Sequence, residues 1–272
     1  MSMFYPVEID LVDPSKMKQA VVVLNPAESK RLLAKTVAGL PEIQDAYIHG
    51  RLSVSTCSTS AFVLEELTGE KMAPHCYCIG MVADGMLTTS VKDDREAARF
   101  FVKGERVTMD ALPFLDQFQL GDAVIKGANA VDLDGNAGVL ASNPQAGTIG
   151  ALISFIAVRG LPIIMPVGLE KLIPSVPDAC VGWGQLTLHK SMGEKVWLVP
   201  VVNGLVVTEI QALAILAGVE ARLIAAGGIG GSEGAVVLLL EGTQKNVEKA
   251  YEIVESVKGE APIGVPRHQF SC

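Results

Sequence analysis

The sequence predicts an α/β protein with a parallel central sheet. Short apolar runs typical of strands alternate along the chain with segments that repeat apolar residues at helical spacing. The strand segments are continuously apolar, which is typical of parallel strands that are covered on both faces. The composition, with 27 glycines, 14 prolines and 5% aromatic residues, fits a sheet-rich protein with many tight turns.

The first part of the chain supplies most of the predicted sheet. A helical apolar pattern begins at Pro26 and ends at Gly39 and Pro41, so we predict an amphipathic helix there. Residues 51–55 are a predicted strand, followed by a polar turn and a helix that ends at Gly69. Further strands are predicted at 78–83, 100–109, 122–128, 138–141 and 162–166, with helices at 110–118 and 148–158.

The second part of the chain has a different order of elements. The predicted elements are a strand at 195–202, a helix at 208–216, strands at 219–226 and 235–241, and an amphipathic helix at 246–257. This order is ferredoxin-like. We therefore predict a Rossmann-like parallel sheet domain over residues 1–193 and a ferredoxin-like α+β lid domain over residues 194–272, separated near the Pro- and Gly-rich stretch 174–193.

Composition and charge exclude several classes of protein. Of the 272 residues 49% are apolar, which excludes a disordered chain, and the net charge of −8 without basic runs argues against nucleic-acid binding. The apolar run 148–168 is interrupted by Arg159, Gly160 and Pro162, so we expect a buried helix and strand there instead of a membrane span. The acidic N-terminal segment lacks an export signal, and we expect a cytoplasmic protein.

The five cysteines are expected to be reduced thiols: Cys57, Cys76, Cys78, Cys180 and Cys272. The cluster His75-Cys76-Tyr77-Cys78 contains soft zinc ligands, but it lacks the Cys-x-x-Cys spacing and a second pair. We therefore predict buried strand cysteines at Cys76 and Cys78, and we expect neither a metal nor a cofactor.

A polar loop precedes the helix that follows the strand at 51–55. Its residues are Thr56, Cys57, Ser58, Thr59 and Ser60. Backbone N–H groups at a helix N-terminus favour an anion, and hydroxyl groups add donors. The alternatives are ordinary helix capping and a nucleophilic Cys57 thiol.

A second group of polar residues follows the predicted strand at 122–128. Its residues are Lys126, Gly127, Ala128 and Asn129. Ligands of open α/β sheets bind at the carboxyl ends of strands, and a lysine within an apolar run is costly without an anion or carboxylate. The alternative is a structural ion pair. Asp132, in the turn that follows, is the candidate catalytic acid.

Two further segments contribute candidate ligand contacts. The loop before the helix at 148–158 contains Asn143, Gln145, Gly147 and Thr148, which either bind a second anion or only cap the helix. Lys171 follows the apolar strand at 162–166 and is a candidate ligand contact. The glycine-rich run 227–234 joins two predicted strands, so we predict a flexible hairpin there and no phosphate-binding loop.

Three segments, in order, resemble one superfamily of α/β proteins. The segments are 52–61, 122–132 and 166–172, and the superfamily unites ribose-5-phosphate isomerase, glucosamine-6-phosphate deaminase, coenzyme A transferases and sugar-sensing domains of bacterial repressors. The resemblance implies that segment 52–61 cradles a sugar phosphate and that Lys171 corresponds to a family lysine. It also implies a lid domain in the place of residues 194–272.

The chain departs from the isomerase pattern at its catalytic acids. Lys126 and Asn129 stand where the isomerase has aspartates, and segment 142–151 contains no glutamate. Proton abstraction beside a carbonyl needs a base within hydrogen-bond reach. We therefore expect no isomerisation of ribose 5-phosphate, and we keep Asp132 and Lys126 as the candidate catalytic residues of any other reaction.

Two kinds of function remain open from the sequence. The first is binding of a small anionic metabolite, such as a phosphosugar or acyl-CoA, with isomerase- or transferase-type chemistry. The second is a non-catalytic metabolite sensor or a subunit of a larger assembly. The C-terminal order also loosely resembles bacterial microcompartment shell domains. We expect a homo-oligomer that binds a small anionic metabolite and neither nucleic acid nor membrane.

Overall fold

The structure, a computed structural model, describes residues 2–10, 13–201 and 203–265. Its strands are β1 Lys18–Leu24, β2 Arg51–Val54, β3 Gly80–Ala83, β4 Met86–Thr89, β5 Arg99–Val102, β6 Glu105–Val107, β7 Ala123–Ile125, β8 Ala130–Val131, β9 Ala137–Ala141, β10 Ile163–Pro166, β11 Trp197–Val201, β12 Leu205–Val207, β13 Glu220–Gly227 and β14 Ala235–Gly242. Its α-helices are α1 Pro26–Ala38, α2 Pro41–Ile48, α3 Ser58–Thr68, α4 Ala111–Asp116, α5 Gly147–Leu152, α6 Val176–Cys180, α7 Glu209–Ala217 and α8 Gln244–Val257. A π-helical turn, Ile153–Ala157, continues α5.

The main sheet has six strands in the order β12-β10-β7-β2-β5-β6. The first four are parallel, while β5 and β6 form an antiparallel hairpin on β2. The predicted α/β class is confirmed, but the single strand expected at 100–109 is wrong. The chain reverses at Lys103 and Gly104, whose φ angles of 51° and 81° suit a tight hairpin turn.

Both faces of the main sheet are covered. Ala123 and Ile125 of β7 join one apolar cluster with helices α1, α3 and α7, whereas Val124 joins a second cluster with α4 and α5. Successive strand residues point to opposite faces, so a continuous apolar run fills both clusters. This double burial is the feature that the continuously apolar strands predicted.

The predicted ferredoxin-like lid over 194–272 is not formed as a separate sheet. Strand β11 pairs with β9, and β12 joins the main sheet beside β10. Strands β13 and β14 pair with each other, and β1 from the N-terminal part completes that sheet. The predicted boundary near residue 194 therefore separates strands that pair with each other. Val202, at the end of the predicted strand 195–202, lies outside the described residues.

The three-stranded sheet β1-β14-β13 packs on helices that also cover the main sheet. Val22 and Leu24 of β1 and Leu238 and Leu240 of β14 share the apolar cluster of α1, α7 and α8. The glycine-rich run between β13 and β14 is a hairpin connection, as predicted. Helix α8 shows the predicted amphipathic pattern, because Val247, Ala250, Val254 and Val257 are buried and the intervening residues are largely exposed.

Two further differences concern the segment before β5. The strand expected at 78–83 is short and belongs to the hairpin β3-β4, and Val82 is 67% exposed, so it is not a buried sheet strand. Cys76 lies in a turn and Cys78 in irregular chain, which corrects the expectation of strand cysteines.

No helix in the described ranges is both long enough and apolar enough to cross a membrane.

Candidate functional site

A cleft of about 650 Å³ lies at the carboxyl ends of β2, β7 and β10. Because these strands are parallel, the segments that follow them meet at one edge of the sheet. The cleft is lined by Lys30, Thr56, Cys57, Ser58, Cys78, Ile79, Gly80, Met81, Val82, Thr89, Lys126, Gly127, Ala128, Asn129, Val139, Leu140, Ala141, Ser142, Asn143, Ala146, Gly147, Thr148, Ile149, Glu170 and Lys171. Most of the sequence-predicted ligand contacts therefore lie together.

The polar loop after β2 places three of its five predicted residues on the cleft. Thr56, Cys57 and Ser58 line it, but Thr59 and Ser60 are buried, which corrects the prediction for these two. The Cys57 sulfur caps α3, since the Ser60 backbone N–H donates to it at 3.2 Å. The Cys57 sulfur therefore occupies the N-cap position of α3.

Cys78 also faces this loop. Burial of the thiol and the nearby Cys57 raise the pKa of Cys78 above its ordinary value. The Cys78 thiol in turn donates to the Gly80 carbonyl at 3.3 Å. Two thiols thus lie beside the loop after β2, and Thr56 and Ser58 of that loop line the cleft.

Lys126 is the most buried charged group of the cleft. It directly follows β7, its exposed fraction is 8%, and its Nζ donates to the Gly127 carbonyl at 3.1 Å. In the described part of the chain no carboxylate lies within ion-pair distance of this ammonium group. The alternative of a structural ion pair at Lys126 is therefore not what the structure shows.

Lys171 and Lys30 complete a group of three lysines. Lys171 Nζ donates to the Ala128 carbonyl at 3.0 Å, and Lys30 Nζ contacts Glu170 Oε1 at 2.9 Å. Burial of Lys171 and the neighbouring charge of Lys30 lower the pKa of Lys171 below its ordinary value. Among the described residues lining the cleft, three ammonium groups thus face one carboxylate, that of Glu170.

A close approach of two backbone segments shapes the floor of the cleft. A Cβ at Gly127 would lie 2.5 Å from the Cys57 sulfur, which is well inside van der Waals contact. Glycine is therefore required here because the loop after β2 lies directly on the end of β7. The approach brings the Cys57 thiol and the Lys126 segment to the same wall.

The second predicted loop also reaches the cleft. Asn143, Gly147 and Thr148 line it, whereas Gln145 lines an adjacent cavity and not the cleft itself. The Gln145 backbone N–H donates to Asn143 Oδ1 at 2.8 Å, and Ala146 adopts a left-handed φ of 59°. The loop thus contributes side chains from its two ends to the cleft.

Asn129 lines the cleft, and the oxygen of its side-chain amide already accepts a hydrogen bond. Its Oδ1 accepts a hydrogen bond from the Leu140 backbone N–H at 3.0 Å, which joins the end of β7 to β9. Asn129 is exposed, so its NH₂ group can donate to a ligand. Ala128 and Gly127 present backbone carbonyls to the two lysines, as described above.

Asp132 is the main correction among the candidate catalytic residues. It is 2% exposed, does not line the cleft, and accepts hydrogen bonds from Asp134, Asn136 and Val176. Burial alone would raise the pKa of Asp132, but the hydrogen bonds from Val176, Asn136 and Asp134 lower it. Asp132 therefore holds a turn and the start of α6, and it has no free oxygen position for a substrate.

Sequence reasoning missed two carboxyl groups near the lysines. Glu170 precedes Lys171 in a short helical turn after β10, and Glu209 follows β12, the next parallel strand. Glu209 is fully buried, and its Oε2 accepts from the Leu169 N–H at 2.9 Å. Burial raises the pKa of Glu209, and the nearby Glu170 adds to this effect. The sequence feature that could have identified both glutamates is that each follows an apolar strand within a few residues.

The pair of carboxyl groups contains two buried oxygens without a hydrogen-bond partner, Glu170 Oε2 and Glu209 Oε1. A Cβ at Gly168 would lie 3.4 Å from the first and 3.3 Å from the second. Both oxygens therefore approach the same point beside Gly168. A proton retained on Glu209 removes the repulsion between the two carboxyl groups.

The structure brings no metal site together within the described residues. No group of three or more histidine, cysteine, aspartate or glutamate side chains has the geometry to hold an ion there. Cys57, Cys76, Cys78 and Cys180 are free thiols, and Cys272 lies outside the described residues.

Comparisons of the chain with protein-family models, with curated proteins and with solved structures find no match.

Proposed function

We propose that the protein binds a small anionic metabolite, such as a phosphosugar or an acyl-CoA, in the cleft at the carboxyl ends of β2, β7 and β10. One observation carries the proposal: Lys126 and Lys171 hold their ammonium groups within the cleft on carbonyl partners alone. The proposal includes Thr56, Ser58 and Asn129 as hydrogen-bonding contacts, because they line the same cleft.

The two lysines pay a desolvation cost because their ammonium groups are held inside the cleft. Removing an ammonium group from water costs several kcal/mol, and a carbonyl hydrogen bond offsets only part of that cost. An anion from outside the chain supplies the missing charge and accepts from both Nζ atoms. The cleft volume of about 650 Å³ lies in the usual range for small-molecule sites.

A specific observation favours chemistry in addition to binding. The Glu170 carboxyl lines the cleft, where its Oε1 accepts a hydrogen bond from Lys30 Nζ, while its Oε2 is buried beside Glu209 without a hydrogen-bond partner among the described residues. Glu170 can accept or release a proton beside a bound anion, and a lysine can stabilise a developing oxyanion. Proton transfer on an anionic carbonyl compound is thus the reaction class that these groups fit. The alternative remains a non-catalytic sensor.

The binding proposal is tested by calorimetric titration with inorganic phosphate, ribose 5-phosphate and coenzyme A. We expect at least one of these anions to bind to the wild type, and Lys126→Gln to weaken that binding at least tenfold. Lys249→Gln, an exposed lysine on α8, is the matched control and should bind like the wild type. Equal binding by all three proteins, or no binding of any of these anions, would refute the proposal.

Turnover separates an enzyme from a sensor. Each anion that binds is incubated with the wild type in deuterated water, and incorporation of deuterium at carbon is followed by mass spectrometry. Incorporation that Glu170→Gln abolishes supports the enzyme, and tight binding without incorporation supports the sensor. We expect no isomerisation of ribose 5-phosphate, since the isomerase-like segment 142–151 contains no glutamate and Lys126 and Asn129 stand where the isomerase has aspartates.

The proposal also includes self-association. The outer face of the β1-β14-β13 sheet exposes Val21, Val23 and Ile224 by 53%, 41% and 52%. Exposed apolar patches of this kind are typical of protein interfaces. Light scattering coupled to size exclusion should give a mass that is a multiple of the chain mass, and Val21→Lys should reduce it. A monomer at all concentrations would refute this part.

A further inference from the structure

A second cavity adjoins the anion-binding cleft. Its volume is about 740 Å³, and it is lined by Ala141, Asn143, Pro144, Gln145, Ala146, Gly182, Trp183, Gly184, Gln185, Leu186, Thr187, Trp197 and Val199. The chain has two tryptophans, and both line this cavity. We call it the tryptophan cavity. Ala141, Asn143 and Ala146 line both cavities, so the two share one wall.

The strand register shows why the two cavities are continuous. Val139 and Ala141 of β9 lie two residues apart and therefore on one face, and both line the cleft. Their antiparallel partners on β11 are Val199 and Trp197, which line the tryptophan cavity. One sheet face thus runs from the cleft into the second cavity across a single strand spacing of about 5 Å.

The tryptophan cavity is lined by two half-buried indole rings, each of which also packs against an apolar cluster of the core. The indole N–H groups are already engaged, that of Trp183 by the Ala179 carbonyl at 2.7 Å and that of Trp197 by the Cys180 carbonyl at 3.1 Å. The ring surfaces are therefore what a ligand meets.

The outer wall of the tryptophan cavity is a loop fixed to β9. Gln185 Nε2 donates to the Ala141 and Ser142 carbonyls at 3.1 and 2.7 Å, which anchors the loop of residues 182–187 at the shared wall. Leu186 on this loop is fully exposed. Leu186 therefore adds apolar surface to the lining of the tryptophan cavity.

We propose that the tryptophan cavity binds the apolar part of the same ligand whose anionic group is held by Lys126 and Lys171. This inference rests on the proposed function and narrows its substrate class. The ligand is an anion that carries a flat aromatic ring or an aliphatic chain. Asn143, which lines both cavities, and Gln145, which lines the tryptophan cavity, supply amide groups for the polar linkage between the two parts.

Tryptophan fluorescence tests the inference directly, because both tryptophans report on this cavity alone. The wild type is titrated with inorganic phosphate, octyl phosphate, adenosine 5′-monophosphate and uncharged octanol. We expect octyl phosphate or the nucleotide to shift or quench the emission and to bind at least tenfold more tightly than phosphate. Burial of about two methylene groups is enough for that factor. Trp183→Phe and Trp197→Phe assign the signal to each ring.

Two variants of residues that line the tryptophan cavity test whether the cavity contributes to binding of the apolar part of the ligand. Gly184→Phe fills the tryptophan cavity at a position that does not line the cleft and where a Cβ meets nothing within 4 Å, so it should remove the extra affinity for octyl phosphate while phosphate still binds. Leu186→Ser, at an exposed position that cannot affect folding through burial, should weaken octyl phosphate several-fold and leave phosphate unchanged. Equal affinity of phosphate and the substituted phosphates in the wild type would overturn the inference.

The outcomes also separate this inference from the proposed function. If phosphate binds with Lys126-dependence but octyl phosphate and the nucleotide gain nothing, the anion site stands and the tryptophan cavity does not bind ligand. If octanol and octyl phosphate bind equally and Lys126→Gln changes neither, the anion site fails. An emission shift that follows protein concentration without ligand would mean that a second copy of the chain occupies the cavity, and would overturn the inference.

Discussion

Two buried cations of this protein are surrounded in opposite ways. Arg31 on α1 and Lys126 after β7 are each 8% exposed. Arg31 forms ion pairs with Glu65, Glu66 and Glu260 at 2.5–2.9 Å, whereas Lys126 contacts only the carbonyl of its neighbour Gly127. The two side chains are therefore equally buried, but the charge of Arg31 is neutralised by carboxylates and the charge of Lys126 is not neutralised by any described residue.

The difference separates a cation with a structural role, Arg31, from a cation that has no ion-pair partner among the described residues, Lys126. Burial alone would lower the pKa of Arg31, but the carboxylates of Glu260, Glu65 and Glu66 raise it. The three carboxylates come from α3 and from the segment after α8, so Arg31 ties distant parts of the chain together. Within the described part of the chain Lys126 makes no such link, and we propose that its charge meets that of a ligand.

The largest effect should follow from Arg31→Met. Three glutamates would then be left partly buried without a cation, and breaking a buried ion pair typically costs about 3–5 kcal/mol. Chemical denaturation with urea measures the free energy of unfolding. Lys126→Met is the matched control, and it should be neutral or stabilising because it removes an unpaired buried charge. A loss in Lys126→Met as large as in Arg31→Met would contradict the comparison.

A somewhat smaller effect should appear when phosphate is added. A ligand present at a hundredfold excess over its Kd stabilises the native state by about 2.7 kcal/mol. We expect phosphate to raise the melting temperature of the wild type and of any Arg31 variant that folds, such as Arg31→Lys. Lys126→Met should show no rise. A rise in Lys126→Met equal to that of the wild type would place the bound anion elsewhere.

The close approach at the cleft floor gives an intermediate effect. Gly127→Ala should cost about 1–3 kcal/mol through overpacking against the Cys57 sulfur. Removing that sulfur with Cys57→Ala should reduce the cost, so the two changes should be non-additive in a double-mutant cycle. Gly80→Ala is the control, since a Cβ there meets nothing within 4 Å. Strict additivity would contradict the proposed contact.

The sequence predicted the cleft better than the arrangement of the sheets. The loops at 56–60 and 143–148 were predicted to lie at one edge of a parallel sheet, and residues 56–58, 143, 147 and 148 of these loops line one cleft. Strand β1 was missed, and its partner β14 lies more than 200 residues away. No local pattern shows that β1 takes the sheet position beside β14, and the ferredoxin-like lid was predicted without it.

The missed site residues have the same physical cause. Lys30 lies inside a regular amphipathic helix, where lysines are usually solvated, and its role appears only through Glu170, 140 residues later. Glu209 was hidden at the start of α7, where an acidic residue is ordinary helix capping chemistry. Asp132 was overrated because a carboxylate in a turn looks available until its backbone partners are known.

The smallest effect concerns the carboxyl group behind the lysines. The pKa of Glu209 is raised in the folded state by burial, so the folded protein keeps a proton that the unfolded chain releases. Stability from this group is complete below the unfolded pKa and is lost as the pH rises through the folded pKa. Glu209→Gln keeps an uncharged donor next to Glu170 and should remove this loss, by at most about 1.4 kcal/mol per pH unit. As the pH rises from 5 to 8, the melting temperature should therefore fall more steeply in the wild type than in the variant.

Glu252→Gln, a substitution of an exposed residue on α8, is the control and should show the same pH dependence as the wild type. Parallel curves of melting temperature against pH for all three proteins would mean that Glu209 is ionised in the fold.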